Sequence, residues 1–282
     1  MIPAPRWRKV LRDVLRNPTR TLLVVLSIAV GVIAVAIVMG AYGIIAADLP
    51  NAFDATNPAH ANIRMQPFAD DLVDVVGRMD GVADAAGRRV VSVQARVPDP
   101  EGPPGATTWQ DLQLLVIDDF DDQRINIVRP ESGAWPPDKG EMLVERASMA
   151  ALGAVEGEPL TIKLANDDER ALKVVGQAHD MNEVSLAITG LASGYITPDT
   201  LEKLGLDRRY NEMLIRVAEN ADQRSHNEEI ARAVADKVEK GGYTVFRTSV
   251  PRPGEHFLEQ FLSPMLLILG ALGVLSLLLS SF

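Results

Sequence analysis

The feature that most constrains this chain is the stretch of residues 21–47, TLLVVLSIAVGVIAVAIVMGAYGIIAA, which holds no charged side chain between Arg20 and Asp48. A bilayer hydrocarbon core takes about 20 apolar residues in helical form, so this run is long enough to cross one. A cleavable signal peptide has an apolar region of only about 7–15 residues that ends at a small-residue cleavage site. This run is longer and ends on Tyr42-Gly43-Ile44-Ile45. It reads as a transmembrane helix.

Charge sets its direction. Residues 1–21 carry Arg6, Arg8, Lys9, Arg12, Arg16 and Arg20 against Asp13 alone, six cations to one anion. The net charge of the chain is −10, so this +5 leaves −15 for the remainder. Cations flanking the first span place the N-terminus in the cytoplasm. Within residues 1–20, Trp7, Val10, Leu11, Val14 and Leu15 fall on one helical face and the basic residues on the other. That pattern predicts an amphipathic helix in the membrane interface, its cations near anionic headgroups, broken at Asn17-Pro18. Inside the span, Ser27, Gly31, Ala34 and Ala41 share one side and form a face on which a second helix can pack closely.

A second uncharged run, FLSPMLLILGALGVLSLLLSSF, occupies residues 261–282. It is expected to return the chain to the cytoplasm, as a multi-pass protein of the cell (inner) membrane. The sequence stops with that span and without flanking Lys or Arg, which reads as a fragment of a longer protein.

Residues 48–260 then form one extracytoplasmic insertion whose two ends look alike. At the start, residues 61–66 read as a strand. Asp70 or Asp71 caps a helix with Leu72, Val75, Val76 and Met79 inward, and Val91, Val93, Ala95 and Val97 alternate as the next strand. At the end, Met213, Ile215 and Val217 alternate. A helix over 222–240 turns Ile230, Val234 and Val238 inward, Gly241-Gly242 stops it, and residues 243–247 form a strand. Two strand–helix–strand units around an insert predict an α/β layer split in sequence and closed in space, over about 48–119 and 206–260. Between them, about 120–205 reads as a smaller, mainly β subdomain. It has strands at 141–145, 160–164 and 171–177 and a short helix opened by Thr197-Pro198. The fold class is thus membrane-anchored α+β, two spans flanking a large extracytoplasmic domain.

No catalytic pattern stands out. GxxxxGK[ST] and HExxH are absent, and Gly190-Leu191-Ala192-Ser193-Gly194 places its serine one position late for a nucleophile elbow. His60, His179, His226 and His256 are scattered, and there is no cysteine. The acidic groups Asp118-Asp119, Asp121-Asp122 and Asp167-Asp168-Glu169 lack the alternate spacing of an EF-hand loop and read as solvated turns. The acidic balance argues against a nucleic-acid partner. No catalytic residue, cofactor or metal is expected.

One series is more specific. Gly133-Ala134-Trp135-Pro136-Pro137 is followed by Gly140-Glu141-Met142-Leu143-Val144, Ala150-Ala151-Leu152-Gly153, Gly157-Glu158-Pro159-Leu160 and Val174-Val175-Gly176. With Asn17-Pro18-Thr19-Arg20-Thr21 near the start and Gly194-Tyr195-Ile196-Thr197-Pro198 later, it resembles the FtsX/MacB-like (type VII) ABC transporter permeases and their MacB-like periplasmic core domain. The resemblance implies a Porter-like layer with a Sabre-like insert, and a dimer of permease subunits, homo- or heteromeric, driven by a cytoplasmic ABC ATPase. It also implies an extracytoplasmic adaptor as a further partner. A permease of this kind would pass ATP-driven motion to its outer domain, to export or extract a lipoprotein, a peptide or a drug-like molecule. The alternative reading is a two-span receptor with an α/β sensor domain and a cytoplasmic output domain beyond residue 282.

Overall fold

The computed structural model describes residues 18–184, 186–254, 264, 267–272 and 275. The chain divides into two units, Met1–Asn51 with Phe257–Phe282, and Ala52–His256.

Helix α1 runs from Pro18 to Asp54, 37 residues with Pro50 near its end. At about 1.5 Å per residue it is roughly 55 Å long. It contains the whole uncharged run, and Leu22, Leu23, Ile33, Ile37 and Met39 stand more than half exposed on it. The backbone at Ser27, Gly31, Ala34 and Ala41 is helical, but their side chains lie outside those described. So do Trp7, Val10, Leu11, Val14 and Leu15 in every respect. Of the second run, residues 264, 267–272 and 275 are described, and they are helical. Counting only described residues, no helix is long and apolar enough to cross a membrane. Membrane crossing by the two runs therefore rests on the complete sequence.

The unit Ala52–His256 is mixed α/β. Its first sheet has the strand order β10–β1–β9–β2, from Val245–Ser249, Ala61–Phe68, Tyr210–Val217 and the first part of Val82–Pro98. Alternation dictates one buried face. Ala61, Ile63 and Met65 on β1 and Met213 and Ile215 on β9 are all essentially inaccessible. They pack against helix α2 (Asp70–Gly77) through Leu72 and Val76, and against α6 (Arg224–Lys240) through Ala231, Val234 and Val238. Each such valine contributes roughly 1.5–3 kcal/mol by leaving water.

Some local expectations differ. The N-cap of α2 is Ala69, with no side-chain cap; Asp70 and Asp71 lie in the first turn, where carboxylates favour the helix dipole. Val75 is 43% exposed, because an eight-residue helix turns only Leu72 and Val76 fully onto the sheet. Helix α6 starts at Arg224, after Gln223.

The second sheet closes on itself. The second part of β2 pairs with β3 (Thr107–Val116), β3 with β8 (Ala192–Ile196), and β8 with β5 (Glu141–Glu145). In turn β5 pairs with β7 (Glu169–His179), β7 with β6 (Pro159–Lys163), and β6 returns to β2 at Gln94 and Ala95. This makes a six-stranded barrel, with β4 (Arg129–Gly133) beside β7. Inward residues such as Val93, Ala95, Leu112, Leu114, Met142, Ile162, Leu172 and Val174 fill it. Helices α3 (Met149–Leu152) and α5 (Pro198–Lys203) add Leu152 and Leu201 to the same core. Thr197 caps α5, its Oγ1 accepting from the Thr200 N–H at 3.4 Å, and Pro198 opens the helix as expected. A short helix α4 (Leu186–Thr189) lies between β7 and β8.

The change from one sheet to the other falls inside β2 and not at residue 120. Arg88 is the last β2 residue opposite β9 and Arg89 the first opposite β3. Thr107–Val116 therefore belongs with the barrel, because its partners are the second half of β2 and, in parallel, β8.

Candidate functional site at the junction of the two sheets

Arg88 sits where β2 leaves one sheet for the other, and its side chain is 12% exposed. It lies 2.8 Å from Glu212 Oε2 on β9 and 3.1 Å from Glu183 Oε1 in the segment after β7. Glu212 also faces Arg64 Nε on β1 at 3.4 Å. Glu183 Oε2 accepts from Gln113 Nε2 on β3 at 2.6 Å, and Gln113 reaches Ser193 Oγ on β8 at 3.2 Å. Behind them Asp180 accepts from Tyr195 OH at 3.1 Å and from the Asn182 N–H at 2.8 Å. The network thus ties three strands of the first sheet to two strands of the barrel through one buried cation.

The electrostatics are unequal. Burial pulls the Arg88 pKa down, but Glu212, Glu183 and Asp180 outweigh it, and the net shift is upward. Arg88 stays charged. Burial raises Glu212, yet Arg88 and Arg64 outweigh that and hold its carboxyl below the usual range. Glu183 and Asp180 are pushed up by burial more than Arg88 and their hydrogen bonds pull them down. Tyr195 is raised by burial and by the same carboxylates, so it remains a donor to Asp180. One cation amid three carboxylates fully stabilises only the nearest; the others resist ionisation.

The backbone at the junction is held as well. Asn211 accepts from the Val90 N–H and donates to the Val90 carbonyl, both at 2.8 Å, where β2 has just lost β9 as a partner. On the far side the β3–β4 connection is strapped to the first sheet. Asn126 Oδ1 accepts from the Ala59 N–H at 2.7 Å, and Arg124 pairs with Asp84 at 2.8 Å.

The histidines do not converge. His60 is half-buried, its Nδ1 accepting from the Val217 N–H at 2.9 Å, and burial followed by Arg216 lowers its pKa. His179 is lowered by burial and then Arg146. His226 lies 3.9 Å from Glu229, and His256 falls outside the described residues. Asp119 folds its carboxylate onto the N–H groups of Asp121 and Asp122, as a turn does. Among the described residues no three or more His, Cys, Asp or Glu side chains are grouped to hold a metal ion. The sequence named none of Arg88, Glu183 or Glu212, because residues 124 positions apart meet only through strand register.

The structure is similar to three solved ones. One is the extracellular domain of the noncanonic ABC-type transporter YknZ from Gram-positive bacteria, at 15% identity, over 66% of this chain and 100% of that one, TM-score 0.39. Another is the periplasmic region of MacB from Actinobacillus actinomycetemcomitans, at 9% identity, over 66% and 87%, TM-score 0.39. The third is a domain assigned to a permease of Porphyromonas gingivalis, at 12% identity, over 72% and 96%, TM-score 0.38. No family model and no curated protein matches the chain.

Proposed function

We propose that the chain is the N-terminal part of an FtsX/MacB-type ABC transporter permease, non-catalytic itself, whose outer domain is moved by a cytoplasmic ATPase. The observation that carries this reading is the way both ends of the domain enter one sheet. Strand β1 follows α1, β10 precedes the second apolar run, and the two strands are hydrogen-bonded neighbours. Motion of either run is thus delivered to adjacent strands of a single sheet, and the Arg88 network passes it to the barrel.

In this proposal residues 21–47 and 261–282 cross the membrane, and residues 7–15 lie in its cytoplasmic interface. The domain stands outside, as a Porter-like layer with a Sabre-like barrel. Ser27, Gly31, Ala34 and Ala41 would form the packing face for a neighbouring helix, in this subunit or in the second permease subunit. The substrate would be a lipoprotein, a peptide or a drug-like molecule handled outside the bilayer.

The test uses the native protein, tagged and solubilised from its own membrane with Mg-ATP and vanadate. Mass spectrometry should find a stoichiometric P-loop ATPase. Recovery of a kinase or cyclase output domain on the same polypeptide, without an ATPase, would replace this reading with the receptor.

A further inference from the structure

A cleft of about 300 Å³ opens beside the Arg88 network, and its floor is the outer face of the first sheet. One register row crosses that floor. Arg247 on β10 is directly opposite Arg64 on β1, Arg64 opposite Glu212 on β9, and Glu212 opposite Arg88 on β2. Directly opposed strand residues point to the same face, so the row presents cation, cation, anion, cation.

Like charges placed directly opposite on a sheet are destabilising. The one carboxylate of the row, Glu212, is shared between Arg88 and Arg64 and is not opposite Arg247. Glu212 is engaged by Arg88 at 2.8 Å and lies 3.4 Å from Arg64. Glu183 is taken by Arg88 and Gln113. Asp180 accepts from Tyr195 and Asn182 and is not among the residues lining the cleft. Three guanidiniums thus line the cleft against two carboxylates, and the surplus falls on the Arg64–Arg247 side of the row.

Two further observations mark the same place. Asn62, two residues from Arg64 on β1, lines the cleft with its Oδ1 buried and without a partner. Turning that amide over offers an N–H donor at the same point. Val184, 38% exposed, and Leu191 supply the apolar part of the lining on either side of α4, beside Asn182 and Thr189.

We propose that this cleft binds a small organic oxyanion, a phosphate monoester or carboxylate with a short apolar tail. The oxyanion bridges Arg64 and Arg247 and the tail rests on Val184 and Leu191. Arg guanidiniums suit such an anion, since their fixed forks match the oxygen geometry of carboxylate and phosphate. The cleft is at the small end of the range for small-molecule sites. This site is independent of the transport reading, which needs no ligand here.

The test is calorimetric titration of the full chain, in nanodiscs of zwitterionic lipid, with n-butyl phosphate, pentanoate and inorganic phosphate. One saturating site is expected for n-butyl phosphate or pentanoate, with inorganic phosphate weaker because it lacks the tail. Arg247→Gln, at an exposed edge-strand position, should leave the melting temperature unchanged and weaken binding at least about tenfold. Val184→Ser should weaken the tailed ligands and not inorganic phosphate. Arg232→Gln, on the exposed side of α6, should change nothing. Absence of saturable binding for all three probes would overturn the proposal, and so would wild-type affinity in Arg247→Gln.

Discussion

Replacing Arg88 by Met tests whether the two sheets are held together by one buried charge. The change keeps most of the aliphatic volume and removes the cation that faces Glu212 at 2.8 Å and Glu183 at 3.1 Å. The partners are largely enclosed, Glu212 at 6% and Glu183 at 17% exposure, so solvent screens little of the loss. Removing one partner of a buried ion pair costs about 3–5 kcal/mol, since the other charge is left without compensation. Arg64 still faces Glu212 at 3.4 Å, which places the expected loss near the lower limit, about 3 kcal/mol. For a unit of this size that corresponds to a fall in melting temperature of about 6–12 °C. The assay is thermal unfolding of the full chain in detergent, followed by near-ultraviolet circular dichroism, to which Trp109 and Trp135 contribute from within the domain. The exposed pairs of Arg208 with Asp199 and Glu202 supply the comparison, and Arg208→Met should move the midpoint by no more than about 3 °C. Adding Glu212→Leu and Glu183→Gln to Arg88→Met should recover most of the loss, because no buried charge then lacks a partner. An Arg88→Met midpoint within about 2 °C of wild type would refute the reasoning, as would a triple variant no better than the single one.

The same network predicts opposite pH dependences for its carboxylates. Arg88 and Arg64 overcome burial and lower Glu212 from 4.5, so its stabilisation is present above that value and is lost as pH falls through its folded pKa. The deficit of Glu212→Gln measured near neutrality should therefore shrink in acid. Glu183 is raised from 4.5 by burial, so its contribution is complete below 4.5 and is lost as pH rises through the folded pKa. Glu183→Gln should gain on wild type over that rise, and parallel melting curves for the two variants would contradict both signs. A third prediction contrasts two glycines. A Cβ on Gly176 would stand 2.2 Å from the Ser132 carbonyl oxygen, so Gly176→Ala should cost about 1–3 kcal/mol in denaturant unfolding. Gly205 has open space but φ +76°, and Gly205→Ala should cost only its left-handed strain, about 1–2 kcal/mol. Wild-type stability in Gly176→Ala would contradict the packing at the β4–β7 contact. Finally, the chain has no cysteine, so single cysteines at positions 4, 99 and 167 report topology directly. Those replacing Asp99 and Asp167 should react with an impermeant thiol reagent on intact spheroplasts and the one replacing Ala4 should not; the reverse pattern would invert the orientation.

Much of the fold was legible because it obeys one-sided burial. Met213, Ile215 and Val217 alternate in sequence and are buried in the structure, and Val234 and Val238 recur at helical spacing and face the same core. The family-like series also falls on ordered turns: Gly153 ends α3 with φ +56°, and Gly133 and Gly176 approach each other across β4 and β7. The full extent of β2 was not legible. Residues 82–90 do not alternate, because there the strand crosses from a sheet buried on one face to a barrel filled on its inner side. Strand β4 is exposed along its whole length and offers no hydrophobic signal at all. The charged network stayed hidden for a related reason. On β9 the inward alternation of Met213 and Ile215 leaves Glu212 on the other face, where a charge reads as solvated. Only the barrel's return over that face, bringing Glu183 and Gln113, turns it into an interior.

The position of Arg88 also bears on how movement would travel through the domain. The barrel is inserted between two neighbouring strands, entered along β2 and left through the segment from α5 to β9. Among the described residues β2 is the one strand continuous between the two sheets, and a single strand resists twisting poorly, so on its own it would let the barrel pivot. The Arg88 network and the Asn211 clamp hold the junction from β9, and the β3–β4 strap holds it near Ala59 and Asp84. These attachments lie on different strands and in different segments, so a pivot about β2 must break at least one of them. Loosening the junction without unfolding either sheet therefore separates stability from transmission. In the proposed transporter, the Arg88→Met variant with its compensating changes should melt like wild type while its barrel moves less when the ATPase turns over. A spin-label pair placed on exposed residues of β10 and β6 would record that difference as a smaller nucleotide-dependent distance change. An unchanged distance response would show that β2, the Asn211 clamp and the strap suffice, and would reduce the buried charges to a role in folding alone.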